Sequence, residues 1–116
     1  MTYSFIFEDD YSRLIMATII DARASIPQIK NKIGFVIKDY VDSQVALITD
    51  NTIVYKIESN LGNLAGYFSI VVNTSNKTAI LQQLVLRPAF QTFSEINTQI
   101  TNFIMSNSWH SDYLFD

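Results

Sequence analysis

The sequence predicts an α+β fold in which a mixed, mainly antiparallel sheet carries flanking helices. Three observations lead there. From Thr52 to Leu86 the apolar pattern alternates in three runs, separated by turns rich in Asn, Gly and Ser. On either side of that block apolar residues recur at three- and four-residue spacing, the period of a helix with one buried stripe. Arg87-Pro88 marks the switch from one period to the other, because proline cannot donate to a strand ladder.

Taken in order, Tyr3 to Glu8 alternates and is rich in aromatic β-formers, which predicts a first strand. Asp9 and Asp10 follow and can cap a helix in which Tyr11, Leu14, Ile15, Ile19 and Ala22 share a face. Ser25 and Pro27 interrupt that run and begin another, with Ile26, Ile29, Ile33, Val36, Ile37 and Tyr40 as its stripe and Gly34 as a weak point inside it. Val41 to Asp50 fits a helix or a buried strand. The helix is preferred, capped by Asp42 or Ser43 and ended by Asp50-Asn51.

Thr52 to Glu58 and Leu64 to Val72 form a hairpin about Asn60-Leu61-Gly62-Asn63, where Gly and Asn tolerate positive φ. A second turn, Asn73 to Lys77, leads to a third strand, Thr78 to Leu86, completing an antiparallel meander. The helix after Pro88 carries Phe93, Ile96, Ile100, Phe103 and Ile104 as one apolar stripe. Ser106 to Asp112 reads as a loop, and Tyr113-Leu114-Phe115 as a very short strand.

Bulk properties bound the function. A chain of 116 residues suits a single domain, 1–116, and 48% hydrophobic against 16% charged residues supports a packed core. The net charge is −3, and the eight basic residues are scattered, with Lys30 and Lys32 the densest pair; this excludes an extended nucleic-acid face. The absence of cysteine removes disulfides, thiolate metal sites and a Cys nucleophile, and a single histidine, His110, removes a multi-His metal site. The N-terminus lacks the basic and long apolar regions of a signal peptide, and no window reaches the about 18 apolar residues of a spanning helix. A cytoplasmic protein without membrane contact is the expectation.

Three places resemble the GNAT N-acyltransferases. Leu61-Gly62-Asn63-Leu64-Ala65-Gly66-Tyr67 is similar to that family's hairpin turn with its Gly-aromatic pair. Leu84-Val85-Leu86-Arg87-Pro88 is similar to the end of its central strand. Gln91 to Ile96 lies where the family has its pyrophosphate loop, with Ser94 and Ile96 in the places of two glycines. The resemblance covers most of the chain and follows the N-terminal two-thirds of such a domain, truncated after the pyrophosphate helix.

The resemblance implies a GNAT-like sheet and transfer of an acyl group from acetyl-CoA or another acyl-CoA to an amine. It implies that Leu84, Val85 and Leu86 pair with the pantetheine amides and that Gln91, Thr92, Phe93, Ser94 and Glu95 meet the pyrophosphate. Backbone N–H groups at a helix start are suited to that anion. The truncation implies an uncovered sheet edge, hence a homodimer or a partner protein that covers it.

Other readings compete for the same residues. Thr92-Phe93-Ser94-Glu95 is a capping box, whose Glu takes up a helix N–H and sets negative charge beside any pyrophosphate. No catalytic residue is assigned. The middle of the third strand of the meander offers Gln82 and Gln83, which do not titrate, while Glu58, Tyr55 and Tyr67 can line a cleft from the hairpin. His110 beside Trp109 suits a surface loop, and Tyr113 follows the helix closely. A non-catalytic GNAT-like scaffold serving protein interaction is therefore the alternative to an enzyme. A generic α+β domain of a larger assembly is the third reading. An open V-shaped gap after Leu86 would argue for either of the first two, and a tightly paired strand there for the third.

Overall fold

The computed structural model describes residues 2–91, 94–106 and 114–115. Strand β1 (Tyr3–Phe7) leads to helix α1 (Tyr11–Ala22), a single 3-10 turn (Arg23–Ser25) and helix α2 (Gly34–Ala46). The meander follows as β2 (Thr52–Ser59), β3 (Leu64–Asn73) and β4 (Thr78–Leu86). A 3-10 turn (Pro88–Phe90), helix α3 (Glu95–Ser106) and a two-residue strand β5 (Leu114–Phe115) complete the order. The sheet runs β1-β2-β3-β4-β5, with β5 parallel to β4 and every other pair antiparallel.

Helices cover both faces of the sheet. On one face Ile96, Ile100 and Ile104 of α3 pack on Tyr3, Tyr55, Ile57, Ala65, Phe68 and Ile70. Phe5, Tyr55, Phe68 and Phe103 meet there edge-on or stacked, with centroids 5.1–5.5 Å apart. Each of the three isoleucines is almost fully buried, which contributes about 1.5–3 kcal/mol apiece. On the other face Leu14, Ile15 and Ile19 of α1, Ile29 and Val41 pack on Val54 and Tyr67. α1 buries five residues and α2 only Val41, so α1 is the principal cover of that face.

Two irregularities shape the sheet. Ile57 opposes Gly66 while Glu58 opposes Leu64, so Ala65 is an extra residue in β3. Ser69 opposes Gln83 while Ile70 opposes Leu81, so Gln82 is an extra residue in β4. At Gly66 the β3 and β4 backbones come so close that a β-carbon would overlap the Val85 carbonyl oxygen. No residue but glycine fits there.

The helical boundaries differ from expectation at three places. The stripe beginning at Ile26 is not helical until Gly34, because residues 27–31 form turns and Asn31 takes φ 62°. Ile29 is nonetheless buried, so its apolar spacing is satisfied by a turn rather than by a helix. Val41 does not open a separate helix capped by Asp42 or Ser43. It lies inside α2, where Lys38 Nζ donates to Asp42 Oδ2 at 2.7 Å one turn away and Ser43 Oγ donates to the Tyr40 carbonyl. Asp10 occupies the N-cap of α1 without a side-chain cap bond; its N–H donates instead to Glu8 Oε1. Thr92 and Phe93, and with them half of the expected capping box, lie outside the described residues, as do Trp109, His110, Asp112, Tyr113 and Asp116.

Candidate functional site

The site grows out of the far edge of β4. β5 pairs only with its start, Thr78 opposite Leu114 and Ala79 opposite Phe115. From Leu81 to Leu86 no described strand lies on that side. Among the described residues that stretch of the edge is unpaired by any strand, and the direction of its polar groups can be assigned. Arg87 N–H donates to the Ala65 carbonyl at 2.8 Å, so Arg87 faces β3. Alternation along an antiparallel ladder then turns Val85 toward β3 and the N–H and C=O of Leu84 and Leu86 toward the open edge. The side chains of Leu84, Val85 and Leu86 are half-buried on the two sheet faces.

Gln91 sits at this edge, but its amide is committed. Its Nε2 donates to the Leu86 carbonyl at 2.9 Å and to Ser25 Oγ at 2.8 Å, and Ser25 Oγ donates to the Ala22 carbonyl. Gln91 thus ties the end of β4 to the end of α1. Arg87 is committed as well. Its Nε meets Asp21 Oδ2 at 2.6 Å and its guanidinium also donates to the Leu64 carbonyl at 3.0 Å. Both partners of the ion pair are partly exposed, which limits its worth to less than about 1 kcal/mol. Asp21, Asn63, Arg87, Pro88, Ala89 and Phe90 line a shallow cleft of roughly 550 Å³ beside it.

Ser94 and Glu95 are exposed at the start of α3. A hydrogen bond from backbone at Glu95 holds the Glu95 carboxyl below the usual carboxylate range, so the helix begins beside a negative charge. The candidate catalysts on the hairpin are placed differently from one another. Tyr55 is buried and stacked on Phe68. Glu58 pairs with Lys56 at 3.2 Å. Tyr67 is fully buried beneath α1 and α2, and burial first, then the neighbouring Tyr40, pushes its hydroxyl pKa up.

Two polar atoms on that same face stand out only once the chain is folded. Among the described residues the Tyr67 hydroxyl and Gln83 Oε1 are both buried without a hydrogen-bond partner, although Gln83 Nε2 donates to the Gln44 carbonyl of α2 at 3.1 Å. Among the described residues no group of three His, Asp or Glu could hold a metal ion, and no helix is long and apolar enough to cross a membrane.

No protein-family model matches this sequence, and no curated protein matches it by sequence. Solved structures do match by shape. An acetyltransferase from Thermus thermophilus superposes with a TM-score of 0.63 at 13% identity, covering 92% of this chain and 70% of its own. A GNAT-family acetyltransferase from Staphylococcus aureus gives 0.56 at 11%, covering 90% and 66%. A second S. aureus protein assigned to that family gives 0.55 at 11%, covering all of this chain and 98% of its own.

This chain has the GNAT fold. The chain therefore spans just under two thirds of the length of one such neighbour and nearly all of another. Along the far edge of β4 the outward backbone groups are those of Leu84 and Leu86, and Gln91 already holds the Leu86 carbonyl. At the end of the strand the Arg87 charge is answered by Asp21.

Proposed function

We propose that this chain binds an acyl-coenzyme A along the open edge of β4 and transfers its acyl group to an amine. The observation that carries this reading is that β5 pairs with Thr78 and Ala79, while no described strand lies beside Leu84 and Leu86 on that side. The cofactor would supply an activated thioester, whose acyl group would pass from sulfur to the amine nitrogen while the departing thiolate takes up the proton that the amine loses. This chain's part is to align the pantetheine through the backbone of Leu84 and Leu86. In this reading Gln91, Ser94 and Glu95 would meet the diphosphate end, with Thr92 and Phe93 between them in sequence.

A specific observation favours a second reading, a scaffold of the same fold without cofactor. Gln91 fills the Leu86 carbonyl that an incoming amide would use, and the nearby Arg87 is already paired with Asp21. Thermal unfolding with acetyl-CoA, CoA and desulfo-CoA separates the two. A ligand at a hundred times its Kd stabilises the fold by about 2.7 kcal/mol, several degrees in Tm for a domain of this size. Stabilisation by all three supports the cofactor reading, and acetyl transfer to a panel of amines then tests the chemistry. An unchanged Tm at millimolar CoA sinks it and leaves the scaffold.

A further inference from the structure

The junction of the first two helices carries an independent inference. Met16 and Ile20 of α1, with Arg23 just past its end, recur at four- and three-residue spacing and form one stripe beside the buried Ile15 and Ile19. Gly34, Ile37, Lys38 and Val41 form a stripe on α2. The two stripes line a groove of about 290 Å³. Its walls carry no aromatic ring, and Met16 and Ile20 are left 46% and 40% exposed. No residue of the sheet lines it, so the groove is independent of the β4 edge.

Space and charge both bear on what the groove suits. Gly34 opens α2, although glycine is a poor helix former. Its φ lies outside the left-handed region, and a β-carbon there would meet nothing within 4 Å. Neither backbone nor packing calls for glycine at that position; what its bare α-carbon leaves is room in the groove. Of the charges that line the groove, Lys38 is answered by Asp42 at 2.7 Å. Arg23 Nη1 donates to the Ile20 carbonyl at 2.6 Å, and its guanidinium meets no carboxylate among the described residues. The segment from Arg23 to Lys38 holds four basic residues and no acidic one, a positive stretch in a chain of net charge −3.

We propose that this groove binds the alkyl chain of a medium-length aliphatic carboxylate, whose carboxylate meets the Arg23 guanidinium. The class follows from the lining. Aliphatic walls with few polar groups suit an apolar chain, and the unanswered charge is a guanidinium, whose planar fork matches a carboxylate. The size follows from the volume. At about 30 Å³ for each heavy atom, the share of a water molecule in the liquid, the groove takes about ten heavy atoms, as in octanoate.

The methionines give a local readout, since Met16 lines the groove and Met105 is exposed on α3. In protein labelled with carbon-13 at the methionine methyls, octanoate is expected to shift the Met16 signal to saturation and to leave Met105 in place. Arg23→Gln is expected to weaken octanoate by about tenfold, the loss of a charge-assisted bond, and to leave octanol unchanged. Octylammonium is expected to bind more weakly than octanoate. Gly34→Leu fills the groove and is expected to abolish the Met16 shift while Tm is kept or raised. Ile20→Glu, at an exposed position, is a second blocking variant. The absence of a Met16 shift at millimolar octanoate overturns the proposal. So do shifts at Met16 and Met105 that rise together without saturating, or equal affinity for octylammonium. Octanoate binding that Arg23→Gln leaves intact, or that survives both blocking variants, overturns it as well.

Discussion

The α-carbon of Gly66 faces the Val85 carbonyl so closely that no β-carbon fits between them. The contact lies beside the extra residue of β3 and one position from the end of the β4 ladder, where Gly66 opposes Leu86. A side chain there would also come within 3.0 Å of the Leu86 backbone, so relief requires the two strands to part. Gly66→Ala is therefore expected to destabilise the fold by about 1–3 kcal/mol, the range of an overpacked core site. Urea unfolding measures this directly. A loss below about 0.5 kcal/mol would mean that the strands separate freely at this point.

Tyr67 gives a prediction with a pH signature. Its hydroxyl is buried and unpartnered, so it contributes desolvation cost without a compensating bond. Tyr67→Phe is expected to be neutral or to stabilise by up to about 1 kcal/mol. In the unfolded chain a tyrosine ionises around its ordinary pKa of 10.0, whereas burial holds Tyr67 protonated to higher pH. The folded state thus keeps a proton that the unfolded chain releases. Its share of stability is complete below pH 10 and falls as pH rises beyond it, by about 1.4 kcal/mol per pH unit. Urea titrations between pH 8 and 11 should show a shallower alkaline decline in Tyr67→Phe than in the wild type. Equal slopes would place the hydroxyl in contact with solvent.

Arg87 and Asp21 test the cofactor reading from the electrostatic side. The cleft they line has one guanidinium whose charge is answered by one carboxylate. Asp21→Ala leaves that charge available to an anion at a stability cost under about 1 kcal/mol. CoA is then expected to bind several-fold more tightly to Asp21→Ala than to the wild type, and more weakly to Arg87→Ala, with both differences shrinking at high salt. Calorimetry reads the affinities. Identical values in all three proteins would remove the cleft from any diphosphate site.

Much of the fold was legible in the chain, for identifiable reasons. β4 was readable to the residue because turn chemistry opens it at Lys77 and Pro88 closes it. Its neighbours were readable because a meander needs only local pairing. The start of α2 was not. Ile26, Ile29 and Ile33 keep helical spacing through a segment that turns, and only tertiary burial of Ile29 explains the spacing. The site divides in the same way. Leu84 and Leu86 could be placed from the sequence because Pro88 fixes the end of their strand. The partners of Gln91 could not, since Ser25 lies 66 residues away and is brought near by packing of α1. Tyr67 was visible as an aromatic beside glycine, but its lack of a partner depends on what α1 and α2 fail to offer.

Gln82 has a consequence for how this chain can vary. Before it, β4 turns Leu81 toward α3; after it, Leu84 and Leu86 face α3 although their numbers differ from 81 in parity. Deleting residue 82 would leave a plain ladder, with Leu81 and Gln83 still opposite Ile70 and Ser69, Val85 still under α1 and α2 and the two leucines still toward α3. Replacing it should matter little, since its side chain is exposed. What the extra residue supplies is a local bend and twist of the strand rather than the facing of its side chains, so descendants of this sequence can rewrite it or drop it and keep both faces of the sheet.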